Sequence, residues 1–128
     1  MDAGRLGFAP DTVIQELGWD EDVDDELRQA IEKQCGSELI DGETSEAVDG
    51  VILWWRDGDG DLVDALLDSL HDLAEGGSVW LLTPKVGRSG YVPGADIVEA
   101  APIAGLSTTT TSSATPEWSS TKLSTHKR

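Results

Sequence analysis

The sequence predicts an α/β sandwich built on a mostly parallel sheet. The first observation is a run of five apolar residues, Val51-Ile52-Leu53-Trp54-Trp55. It is followed by an amphipathic stretch of helical length over residues 62–75 and a second apolar run, Val79-Trp80-Leu81-Leu82. Strand, helix and strand in that order make a βαβ unit, whose crossover implies parallel strands covered by the helix. The second observation is an earlier strand-length segment, 13–17, leading into a helical pattern over 20–34. The third is the chain after residue 105, where a Ser/Thr-rich segment, a turn at Pro116-Glu117 and a strand over 118–123 read as a closing C-terminal antiparallel hairpin.

Each element has its own signal. Gly4, Gly7 and Pro10 mark residues 1–12 as a flexible lead-in. Over 20–34, Val23, Leu27, Ala30, Ile31 and Gln34 fall on one helical face. Asp20, Glu21, Asp22, Asp24 and Asp25 crowd the first turns, where negative charge suits the helix dipole, and Gly36 is placed to end the helix. Residues 37–40 predict a second short strand, and 41–49 a polar connection or a single helical turn. In the 62–75 helix, Leu62, Ala65, Leu66, Ser69, Leu70, Leu73 and Ala74 form the apolar stripe, and Gly76-Gly77 is read as its stop. Strand 79–83 runs into Pro84, residues 87–94 form a loop, and 94–101 form a short helix terminated by Pro102 and Gly105. Residues 106–115, rich in Ser and Thr, read either as disorder or as an edge strand. Residues 118–123 form the last strand and 124–128 a disordered tail. The whole is a single domain over 13–123, a small Rossmann-like three-layer sandwich.

Charge narrows the partners. The 128-residue chain carries a formal net charge of -16, and residues 1–75 hold 22 acidic against 4 basic side chains. An acidic half of that kind repels nucleic acid and anionic membrane, so neither is expected as a partner; another protein is. A monomer is expected. Cys35 is the sole cysteine, and no basic leader or long apolar span is visible, which points to a cytoplasmic location.

The strings Gln15-Glu16-Leu17-Gly18-Trp19-Asp20, Ile52-Leu53-Trp54-Trp55-Arg56-Asp57 and Leu81-Leu82-Thr83-Pro84-Lys85 resemble the DUF3052 family of actinobacterial proteins, over most of the chain. That resemblance implies no established activity. The layout is also similar to a shortened class I methyltransferase. In those enzymes the first strand ends in Glu-Leu-Gly-x-Gly-x-Gly. Here Glu16-Leu17-Gly18 matches the start, but Trp19-Asp20-Glu21-Asp22 replaces the glycines that let a backbone approach its cofactor. The resemblance therefore implies a degenerate cofactor site, and no cofactor is expected.

In an open α/β sheet, sites lie beyond the carboxyl ends of the strands. That rule places Gly18, Trp19 and Asp20, then Arg56 and Asp57, then Lys85 and Arg88 along one edge as candidate ligand- or partner-binding residues. Arg56 and Lys85 have the charge to bind a carboxylate or phosphate. The alternative is that they pair with Asp20, Asp22, Asp57 or Asp59. Asp57-Gly58-Asp59-Gly60-Asp61 looks like the start of a calcium loop. Leu62 stands where that loop needs glycine and Asp68 where it needs glutamate, so the segment reads better as a turn with Asp61 capping the next helix. Trp54 and Trp55 point to opposite faces of their strand and read as core, with Trp19 as the surface tryptophan. His71 reads as exposed on a helix and Cys35 as a buried apolar group. No catalytic set is found. The leading expectation is a non-catalytic interaction or regulatory protein. The alternatives are a small S-adenosylmethionine-dependent enzyme or a sensor of small anions.

Overall fold

A computed structural model describes residues 6–41 and 46–125. Its elements run β1 (Ile14–Leu17), α1 (Asp25–Cys35), β2 (Val48–Trp54), α2 (Leu62–Ser69), β3 (Leu73–Pro84), α3 (Gly94–Ile103), β4 (Leu106–Ser113) and β5 (Trp118–Thr125). The strands form a single sheet in the order β1-β2-β3-β5-β4. β1, β2 and β3 are mutually parallel, whereas β5 runs antiparallel to both β3 and β4. The sheet is thus a parallel half closed by an antiparallel hairpin, as the sequence predicts.

Side-chain alternation divides the core into two layers. Val51, Leu53, Trp55, Val79, Leu81 and Leu123 face α2 and α3, meeting Leu66, Ile97 and Ala101. Ile14, Ile52, Trp54, Trp80, Leu82 and Trp118 face the other way, onto Leu27, Ile31 and Cys35 of α1. Trp54 and Trp55 accordingly part to opposite faces and are both buried. The expected flexible lead-in contributes to this second layer. Phe8 stacks on Trp80 at 4.1 Å, and the Trp80 indole donates to the Leu6 carbonyl at 2.6 Å. Apolar side chains at 6 and 8 outweigh the neighbouring Gly7 and Pro10. Residues 1–5 of that lead-in lie outside the described residues.

Several boundaries differ from the sequence reading, each for a visible reason. Helix α1 starts five residues later than predicted, because Asp24 caps it by accepting from the Leu27 amide at 3.0 Å. The acids before it form a turn in which the Asp20 carboxylate accepts from the Glu21 amide. Gly36 ends the helix in the left-handed conformation, as expected. Residues 37–40 make no strand, only a bridge from Ile40 to Gln15. Of the 41–49 connection, residues 42–45 lie outside the described residues, and Val48 and Asp49 already belong to β2.

Helix α2 stops at Ser69, well short of Gly76-Gly77. Leu73 instead pairs with Val48 in the sheet, and the ladder resumes at Gly50–Ser78 after an irregularity. The two glycines serve that irregularity. A Cβ on Gly77 would sit 2.5 Å from the Leu73 side chain and 2.8 Å from the Asp49 carbonyl. Apolar periodicity cannot separate the last turn of a helix from the start of a strand that buries the same residues. Pro102 lies inside the last turn of α3 and does not end it; Ala104 is the C-cap. The Ser/Thr segment is an edge strand, β4. Thr115 turns the chain by accepting from the Glu117 and Trp118 amides at 3.1 and 2.9 Å. Strand β5 extends to Thr125, two residues into the expected disordered tail, while residues 126–128 lie outside the described residues. Among the described residues no helix is long and apolar enough to cross a membrane.

Candidate functional site

The carboxyl ends of β1, β2 and β3 share one edge of the sheet because the three strands are parallel. The amino end of β5 joins them there, since Trp118 pairs with Pro84. Gly18 follows β1 at φ 76°, and a Cβ on it would lie 2.2 Å from the Trp54 carbonyl oxygen. No side chain fits that gap, so the loop after β1 lies directly on the end of β2.

Arg56, just past β2, fills the crevice between these strand ends. Its Nε donates to Asp22 Oδ2 at 2.9 Å and its Nη2 to Asp22 Oδ1 at 2.5 Å. Nη1 donates to the Gly18 carbonyl at 2.7 Å and to the Trp54 carbonyl at 3.3 Å. Asp59 closes the other side, accepting from the Arg56 amide at 3.0 Å. The guanidinium lies 5.4 Å from the Trp118 ring centroid, within cation–π range. The hydrogen bond from Arg56 holds the Asp22 carboxyl below its usual range. Burial works against the charge on Arg56, but the bonds to Asp22 and Asp59 outweigh it and raise its pKa. Of the two readings open in the sequence, pairing with local acids is the one formed, and the partners are Asp22 and Asp59. The guanidinium fork is thus committed to internal partners, Nε and Nη2 to one carboxylate and Nη1 to two carbonyls.

The other candidates divide. Arg88 joins the cluster: it lies 5.8 Å from the Trp118 ring and donates to the Glu117 carbonyl at 3.1 Å. Lys85 is turned toward β4, where its ammonium bonds the Ser113 hydroxyl, and its amide donates to the Glu117 carbonyl. Trp19 stands outside the crevice, 56% exposed. Asp20 and Asp57 are exposed as well, and the Asp57 amide donates to the Gly90 carbonyl at 2.9 Å. Asp61 caps α2 as expected, accepting from the Val63 and Asp64 amides. His71 is exposed and bonds Asp72. Cys35 is buried, and burial first, with the Asp49 charge added, pushes its thiol pKa up.

Glu16 and Arg28 are participants that the sequence reading missed. They form a two-pronged ion pair at 2.6 and 2.8 Å, and the Trp54 indole donates to the same Glu16 carboxylate at 2.9 Å. Glu16 raises the Arg28 pKa against the opposing effect of burial. Trp54 meets Trp118 edge-on at 4.9 Å. A continuous chain of contacts therefore runs from Arg28 through Glu16, Trp54 and Trp118 to Arg56 and Asp22. The available signal was Glu16 within a short core strand that begins and ends in apolar residues, an acid that must find a cation once its strand is packed.

The architecture can be compared with that of solved proteins. The pyocyanin biosynthetic protein PhzM superposes with a TM-score of 0.69 at 13% identity, over 97% of this chain and 53% of that one. The chain thus spans about half the length of that protein. An S-adenosylmethionine-dependent methyltransferase from Aquifex aeolicus gives 0.61 at 9% identity, over 96% and 87%. The magnesium protoporphyrin IX methyltransferase of Synechocystis, solved with bound S-adenosylmethionine, gives 0.56 at 9% identity, over 97% and 74%. Likeness at this level of identity concerns the fold alone. The residues present here do not suit that cofactor. The gap that glycine opens at position 18 is taken by the chain's own Trp54 carbonyl, and the crevice beside it by Arg56 and Asp22. Ile40 alone bridges β1 on its outer side, with no further strand there among the described residues.

Sequence relatives are much nearer. Uncharacterised proteins of Mycobacterium tuberculosis and Mycobacterium bovis are each 54% identical over 121 residues, covering 94% of this chain and 76% of theirs. The family model described as "Protein of unknown function (DUF3052)" matches residues 3–127, and the chain belongs to that family.

Proposed function

We propose that this chain is a non-catalytic interaction domain that uses a methyltransferase-like scaffold to present an acidic edge to a basic protein partner. The observation that carries this reading is the closure of the crevice by Arg56 on Asp22, Gly18 and Trp118, where an enzyme of this fold would need open space. Beside it, Asp22, Asp24, Asp25, Glu26 and Glu117 line a shallow groove of about 450 Å³ between the start of α1 and the Pro116–Trp118 turn. With 22 acids in residues 1–75, the long-range field favours a cationic surface over nucleic acid or an anionic membrane. Trp19, 56% exposed in the adjoining loop, offers an apolar anchor of the sort that dominates interface energies.

Crosslinking in cells followed by mass spectrometry tests the reading. Reproducible partners linked through the 19–26 segment, and lost in an Asp25→Lys/Glu26→Lys variant that still folds, are the expected result. Recovery of no partner counts against it.

A second reading, a small S-adenosylmethionine-using enzyme, draws support from the fold likeness alone. It requires the Arg56–Asp22 pair to open when a substrate or a second chain arrives. Titration with S-adenosylmethionine separates the two.

A further inference from the structure

We propose that the cavity between α3 and the β3–β5–β4 surface is a binding site for a small, uncharged, single-ring molecule bearing hydroxyl or amide groups. The cavity measures about 320 Å³ and lies on the α2/α3 face of the sheet. It is therefore separate from the Arg56 crevice, whose tryptophans belong to the α1 face. Alternation and register build its floor. Thr83 follows Val79 and Leu81 on that face, Thr121 pairs with Leu81, and Thr111 pairs with Thr121. Ile97 of α3 forms the roof, with Tyr91 and Val98 at the rim.

Two observations point to a ligand. Thr83 and Thr121 are each only 3% exposed, yet neither hydroxyl bonds a side chain or backbone group among the described residues. Buried hydroxyls ordinarily find a partner. Among the described residues no side-chain polar atom is both sealed and unpartnered, and both threonines line the cavity, so their hydroxyls face its open space. The second observation is charge. In a chain that is 27% charged, no residue lining this cavity carries a charge.

The lining defines the ligand. Hydroxyls donate and accept, so they suit a hydroxyl or amide group. The apolar roof suits a ring face. An ion would give up hydration without a counter-charge to replace it. Helix α3 begins at this wall with Gly94. The volume sits at the small end of ligand pockets, which fits one ring.

Benzamide and benzoate share a shape and differ in charge, so they serve as probes. The ¹⁵N-labelled full chain is titrated with each while its amide resonances are followed. The expected result is saturable millimolar binding of benzamide that moves the Thr83, Tyr91, Gly94 and Thr121 amides, with benzoate at least about tenfold weaker. Thr83→Val and Thr121→Val, which keep shape and lose one hydroxyl, should each weaken benzamide roughly fivefold to tenfold at unchanged melting temperature. Should Thr83→Val fail to fold, Thr121→Val alone decides. Absence of saturation, shifts elsewhere in the chain, equal binding of benzoate, or full affinity in the valine variants overturns the proposal.

Discussion

Arg56 holds Asp22 across 34 residues of sequence, with two nitrogens on two carboxylate oxygens at 2.9 and 2.5 Å. The pair ties the acidic loop after β1 to the end of β2. Arg56→Ala should therefore destabilise the fold by about 1–2 kcal/mol, since it removes charged hydrogen bonds and uncovers one face of Trp118. Asp22 is partly exposed, so Asp22→Asn alone should cost less. A double-mutant cycle read by urea denaturation should give a coupling of roughly 1 kcal/mol between the two positions. Strict additivity would show that the contact does not form in solution.

The same bond predicts a pH dependence. Arg56 depresses the Asp22 pKa below its ordinary 3.8, so the folded state binds that proton less readily than the unfolded state. The bond's contribution is fully present above the ordinary value and is lost as pH falls through the lower, folded value. Between neutral pH and pH 5 the stability difference between wild type and Asp22→Asn should be constant, and it should shrink only as acidity approaches and passes about pH 4. Urea midpoints of both proteins measured across this range check the sign. A difference that grows on acidification contradicts it.

Two glycines in the same left-handed conformation should behave differently. Gly18, at φ 76°, has the Trp54 carbonyl 2.2 Å from where a Cβ would stand; Gly36, at φ 81°, faces open space. Gly36→Ala should cost about 1 kcal/mol, the conformational term at a helix C-cap. Gly18→Ala must also push two strand ends apart, and should cost about 3 kcal/mol or prevent folding. Thermal melts of the two variants side by side distinguish them, and equal losses would mean that the loop after β1 does not lie on β2.

How much of this was legible before the structure depended on the range of the interaction. The βαβ unit, the opposed tryptophans, the Gly36 stop and the Asp61 cap are written in local patterns, and each is found in place. The end of α2 was not legible, because Leu70 and Leu73 are apolar at positions that suit either a helix or the strand that follows. Gly50 carried no local signal either, although a Cβ there would stand 2.6 Å from Trp80. At the site, strand order placed Gly18, Arg56 and Arg88 on one edge correctly. It could not show that Lys85 turns to Ser113, or that Glu16 and Arg28 anchor Trp54, because those choices are made by packing between distant segments.

Cys35 offers a check on the α1 layer. Its side chain is buried against the sheet and burial raises its pKa, so thiolate is scarce and inaccessible. Modification by a thiol reagent such as DTNB should be slow in native buffer and should accelerate in step with unfolding in urea. Rapid native labelling would mean that α1 does not stay packed on the sheet.

The crevice of this methyltransferase-like scaffold is filled by the chain's own Arg56 and Asp22. Calorimetric titration of the full chain with S-adenosylmethionine tests it most directly. The expected trace shows no saturable heat, in wild type and in Asp22→Asn alike. Saturable micromolar binding by the wild-type chain would contradict it.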